Sequence, residues 1–151
     1  MATSYEAVFK VVLGRIKDFN IPLMSDEVIE QDLILLMDSA ILNFEFPRMN
    51  LKQKDDLTMT FNETLDFDTI QLLGQLTAYE WLSRVVMDID LLKPSMSPEE
   101  FKTWSHGNSL IGLNKVLAFH SKRIADMKRS YSRRDENNKS KLGQLSGGGF
   151  Q

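Results

Sequence analysis

Apolar residues at Tyr5, Val8, Phe9, Val12, Leu13, Ile16 and Phe19 recur at the spacing of a helix with one buried face. Thr3 and Glu6 have the spacing of a capping box ahead of it, and Asn20 and Pro22 are placed to end it. A second stripe follows: Ile29, Leu33, Leu36, Met37, Ala40, Ile41 and Phe44. Ser25 is its predicted start, with Asp26 and Glu27 suited to the positive end of the helix dipole, and it stops before Pro47. The run "LILLM" widens the apolar face and predicts packing on two sides.

The period then changes. Leu57, Met59 and Phe61 alternate with Thr58 and Thr60, the two-residue repeat of a half-buried strand. Met49, Leu51 and Gln53 are its expected partner around a turn at "KDD", so a hairpin is predicted over about 48–65. A lone hairpin is marginal in water, so this one must lean on the helices or pair with another chain.

A third helix is predicted from Asp66 or Asp68 to Leu92. Its apolar positions cover most of the circumference and leave a polar line through Glu80, Arg84 and Asp88. Such a helix is central in its domain or covered by a neighbouring subunit. "SPEE" (Ser97–Glu100) has a serine cap, a proline at the first helical position and a box-closing glutamate. Beyond it Leu110, Leu117, Ile124 and Tyr131 repeat every seven residues, interleaved with Leu113, His120 and Met127. That is the seam of a long, coiled-coil-like helix. The expected fold is therefore mainly α: a four-helix-type bundle with an inserted β-hairpin over 1–135, and an extended C-terminal arm over 136–151.

Composition adds an asymmetry. Residues 1–100 carry 8 Lys and Arg against 18 Asp and Glu, and residues 101–151 carry 10 against 3, giving −10 and +7 within a net charge of −3. A split of this kind marks subunits that stack acidic face to basic face, or contact with nucleic acid. The basic residues expected to face a partner are Lys122, Arg123, Lys128, Arg129, Arg133 and Arg134. With 151 residues and 42% hydrophobic content, the chain is large enough for one well-buried core. No cysteine is present, so disulfides, thiolate zinc sites and cysteine nucleophiles are excluded. "MATSYEAVFK" lacks the basic-then-apolar order of a secretory signal, and no apolar run nears a membrane span. A soluble protein of intracellular origin is expected.

Candidate chemistry is sparse. His106 and His120 fit no metal-ligand spacing, and His120 falls on the apolar seam, where a satisfied core histidine is the expectation. Asp66 and Asp68 read as helix caps, Asp55–Asp56 as turn residues, and Asp88 and Asp90 as a solvated face. "SGGGF" follows no strand and opens no helix, so it is not a phosphate-cradling loop. We expect no enzyme activity, no cofactor and no metal. The stretch "KLGQLSGGGFQ" has too little apolar mass for a core of its own. Extended peptides with spaced apolar side chains dock on another chain's sheet edge or pockets, and Leu142, Leu145 and Phe150 would be the anchors.

The segments "SDEVIEQDLILLMDSAILNF", "IQLLGQLTAYEWLSRVVMDIDLL" and "SPEEFKTWSHGNSLIGLNKVLAFHSKRIADMKRSYSRR", with the loose tail, resemble the head–tail connector proteins of tailed bacteriophages, the adaptor or head-completion proteins. The resemblance covers the organisation of residues 3–135 and rests on no invariant short motif. It implies a non-enzymatic virion protein at the phage neck, assembled in the host cytoplasm as a homo-oligomeric, twelvefold ring. Such a ring joins the portal protein to the tail or tail-terminator protein. DNA passes through its channel during packaging and ejection without sequence-specific binding, and no membrane is involved. The C-terminal arm would reach the portal, and the hairpin, through Leu57, Met59 and Phe61, would meet a neighbouring subunit. The alternatives are a nucleic-acid-binding regulator that uses the basic helix, and a tail-completion protein.

Overall fold

The computed structural model describes residues 2–18, 26–92, 99 and 110–146. Phe19, Asn20, Pro22, Ser25, His106 and Phe150, and the "SPEE" box apart from Glu99, lie outside the described residues. Within them the chain is mainly helical with a small antiparallel sheet, as the hydrophobic periods predict. The helices are α1 (Tyr5–Asp18), α2 (Asp26–Asn43), α3 (Phe67–Leu92) and α4 (Leu110–Ser146). The strands are β1 (Thr3–Ser4), β2 (Lys54–Asp55) and β3 (Thr60–Phe61), with β3 in the middle.

α3 is the central element, and α1, α2 and α4 all pack against it. Leu72, Leu73, Leu76, Ala78, Leu82 and Val86 are buried around its circumference, which resolves the all-round apolar pattern in favour of a core helix. The polar line is used too. Glu80 accepts a hydrogen bond from the Asn43 side chain at 2.7 Å, and Arg84 meets Asp32 at 2.9 Å, so both tie α3 to α2. From α1, Tyr5, Val8, Phe9, Val12 and Ile16 are buried, as its stripe requires. α1 crosses α3 at Gly74, where an added Cβ would lie 2.6 Å from Cβ of Val11. Only a residue without a side chain lets the two helices approach this closely.

The hairpin differs from its expected register. Lys54 and Asp55 of "KDD" form β2 instead of the turn, pairing with Phe61 and Thr60. The turn lies over 56–59, where the Asp55 carboxylate accepts the backbone N–H of Leu57 at 2.9 Å and Met59 adopts a φ of 52°. The alternation of Leu57, Met59 and Phe61 is thus broken by the turn itself. On the other side of β3, Thr3 and Ser4 pair with Phe61 and Thr60. Because Thr3 belongs to the sheet, its hydroxyl accepts the N–H of Leu65 at 2.8 Å and does not cap α1. The cap falls to Ser4, whose Oγ accepts the N–H of Glu6 at 3.2 Å.

Phe61 is fully buried, with its ring 4.9 Å from that of Tyr5. It is a core residue and not the expected inter-subunit contact. The hairpin leans on its own helices. α4 also departs from expectation: the helix continues to Ser146, so residues 136–146 are not an extended arm. The stretch "ENNKSKLGQLS" contains no proline and no β-branched residue, and Glu136 and Lys139 have the i,i+3 spacing of a helix-supporting pair.

Phe61→Ala is expected to cost about 3–5 kcal/mol of monomer stability, measured by urea unfolding; a residue serving only a subunit contact would leave the monomer unchanged. Gly74→Ala should also destabilise, because forcing Val11 aside costs about 1–3 kcal/mol against a helix-propensity gain of about 1 kcal/mol. A rise in the urea midpoint would overturn the close-crossing argument.

Candidate functional site

A polar lock fixes the basic helix on the domain. Tyr131, 4% exposed, projects from α4 into the junction between the end of α2, the following loop and the start of α3. Its hydroxyl accepts the backbone N–H of Arg48 at 2.9 Å and lies 2.9 Å from the Thr69 hydroxyl. The Arg48 guanidinium stands 4.0 Å from the Tyr131 ring centre and donates to the Tyr131 carbonyl at 2.6 Å. Arg48 also meets Asp66 at 3.1 Å, and the Phe44 ring packs edge-on to Tyr131 at 5.3 Å.

Asp66 has a second role. It caps α3, with its Oδ1 accepting the N–H of Thr69 at 2.7 Å. Burial works to raise its pKa, but the hydrogen bonds from Thr69 and Arg48 win and hold the carboxyl below its ordinary value. A second cluster fastens the hairpin. Lys54 Nζ pairs with Asp56 and, at 2.9 Å, with Asp38 of α2, while the Tyr5 hydroxyl donates to Asp56 at 2.7 Å. Burial, helped by the bond to Asp56, raises the Tyr5 hydroxyl above the ordinary phenol value. Burial opposes the Lys54 ammonium, yet its hydrogen bonds to Asp56 and Asp38 outweigh that and raise it.

The six basic residues expected to face a partner divide in two. Lys128 donates to the Asn43 carbonyl at 2.8 Å, supplying at the end of α2 the cation that its own last turn lacks. Arg134 donates from Nη1 to both carboxylate oxygens of Asp68, each at 2.7 Å. These two are engaged within the chain. Lys122, Arg123, Arg129 and Arg133 are exposed along α4, with Arg129 only 3.7 Å from Asp126. Of the hairpin trio, Leu57 is 97% exposed, Met59 packs partly on the core and Phe61 is buried. Leu142 and Leu145 sit on the last turns of α4 and their side chains lie outside the described residues.

Arg48 and Lys54 did not stand out in the sequence. A single cation carries no periodic signal, and Asp66, which Arg48 meets, and Asp38, which Lys54 meets, come from elsewhere along the chain. Exposed apolar side chains remain at Leu35 and Leu42 on α2, Phe46, Phe67, Met87 and Phe119. The groove among α2, α3 and α4, about 540 Å³, has walls whose polar groups, Asn43, Glu80 and Lys128, already bond across it. Among the described residues no cluster of His, Asp and Glu is arranged to hold a metal ion, and no helix is long and apolar enough to cross a membrane. No family model, curated protein or solved structure matches the chain.

The lock and the hairpin cluster make stability pH-dependent at both ends. Asp66 and Asp56 have lowered folded-state pKa values, so their contribution is present above about pH 4 and is lost as pH falls below it. Tyr5, raised in the folded state, contributes below about pH 10 and loses that contribution as pH rises further. Asp66→Asn should flatten the acid limb and Tyr5→Phe the alkaline limb of the urea midpoint plotted against pH. Unchanged slopes would refute these assignments.

Proposed function

We propose that the protein is a structural virion component: a ring at the neck of a tailed phage that joins the portal to the tail and leaves a channel for DNA. The reading is supported first by the resemblance in segment organisation. The observation that carries it furthest is the separation of charge between two helices of one domain. α2 has five acidic and no basic residues, and α4 has nine basic and three acidic. Copies that stack acidic face to basic face make head-to-tail contacts, which generate rings when the rotation closes. In this role the mechanism is geometric: the subunit bridges two larger assemblies and holds the passage open. The function needs no catalytic group, and the polar clusters of the domain serve its rigidity.

A nucleic-acid-binding regulator is the second reading, favoured by the exposed row Lys122, Arg123, Arg129 and Arg133. Electron microscopy and native mass spectrometry of the purified full chain, with a DNA-binding titration, separate the two. The ring reading expects closed rings that retain no duplex DNA at about 0.15 M salt. A monomer whose DNA affinity falls about 1,000-fold between roughly 50 and 200 mM salt would overturn it in favour of the regulator.

A further inference from the structure

Two helices of opposite net charge carry unburied apolar side chains on their outward faces. Leu35 and Leu42 are seven residues apart and so share one face of α2, and they are 65% and 77% exposed. Asp32 and Asp38 flank Leu35 on either side of that face, paired with Arg84 and Lys54 but with side chains still 38% and 43% exposed. On α4, Phe119 is 66% exposed, and Lys115, Lys122, Arg123 and Arg133 are exposed on the same side of the helix.

We propose that the outward face of α2, centred on Leu35 and Leu42, is the docking site for the outward face of α4, centred on Phe119, of a second copy of this chain. The proposal rests on the assembly reading above and names its contact surfaces. Three considerations select this occupant. Both helices turn their buried faces to α3, and where α4 does reach the end of α2 the contact is made by Tyr131 with Phe44 and Lys128 with Asn43, not by the exposed apolar side chains. The charge on the two helices is complementary. Pairing α2 with α2 or α4 with α4 would set like charges together, which is costly at an interface. The contact is therefore heterologous, and each subunit offers one face of each kind. The apolar anchors sit inside charged surroundings, the arrangement in which a buried centre is rimmed by polar residues.

The test uses the full chain and sedimentation velocity across a concentration series at low salt. Three variants are compared with the wild type: Leu35→Ser/Leu42→Ser, Phe119→Ser and Lys122→Glu/Arg123→Glu. All the altered side chains are exposed, so circular dichroism and urea midpoints should match the wild type, and the charge pair stands in if an apolar variant fails this check. Each variant should need at least about tenfold more protein for half-assembly. The decisive arm mixes the α2 variant with an α4 variant in equal amounts. One partner keeps an intact α2 face and the other an intact α4 face, so the mixture should stop at heterodimers. Variants that assemble like the wild type, or a mixture that stays monomeric, would overturn the surface assignment while leaving the ring reading in place. A wild-type chain that stays monomeric, with or without DNA bound, would overturn both.

Discussion

Tyr131 is the side chain on which the position of α4 depends. This helix is polar over most of its surface, and its described buried positions are His120, Ile124 and Tyr131. Burying one such aliphatic side chain is worth about 1.5–3 kcal/mol, too little to orient a long cationic helix. Tyr131 adds direction. Its ring is held between Phe44 and the Arg48 guanidinium, and its hydroxyl joins the Arg48 backbone and Thr69. One residue thereby contacts the end of α2, the following loop and the first turn of α3. Removing it would strand buried polar groups, each costing about 1–3 kcal/mol.

The lock is coupled to helix initiation. Asp66 caps α3 and faces Arg48, so the carboxylate that starts the central helix also anchors the cation stacked on Tyr131. The hairpin follows the same logic with different groups. Lys54 joins Asp56 beside the turn to Asp38 on α2, and Tyr5, the first residue of α1, bonds to Asp56. Because β3 is flanked by β1 and β2, the start of α1 is tied through the sheet as well. The ends of the helices are thus fixed by polar contacts, and their middles by apolar packing on α3.

This division explains what could be read from the sequence. The stripes of α1 and α3 and the His120–Ile124–Tyr131 seam are periodic over several turns, and the structure buries them as the period requires. Strands of two residues give no comparable signal. The alternation through Leu57, Met59 and Phe61 ran across a turn, and the left-handed Met59 breaks the period at the point where the strand was expected to run on. Thr3 looked like the cap of α1 because the same residue types serve sheet edges and caps, and Ser4 beside it serves as both. Arg48 with Tyr131 and Asp66, and Lys54 with Asp38, act through partners distant in sequence, which no local pattern records. Lys128 and Arg134 belonged to a basic row that looked uniform, yet each finds an acceptor only once the chain has folded.

The folded domain sorts its charge. Cations turned inward have acceptors within the chain: Arg48 with Asp66, Lys54 with Asp38 and Asp56, and Lys128 with the end of α2; Arg134, though exposed, is held by Asp68. Those left outward on α4 lie on a helix whose three acidic residues cannot balance nine basic ones. Of the anions on α2, Asp32 is already paired with Arg84 and Asp38 with Lys54, so neither is left to balance α4 within the molecule. The fold therefore pairs its inward charge locally and leaves an excess of positive charge on the outward side of α4. Such an excess is neutralised most completely against an acidic surface of another molecule, so the sorting that makes the domain rigid also gives it a charged face to offer a partner.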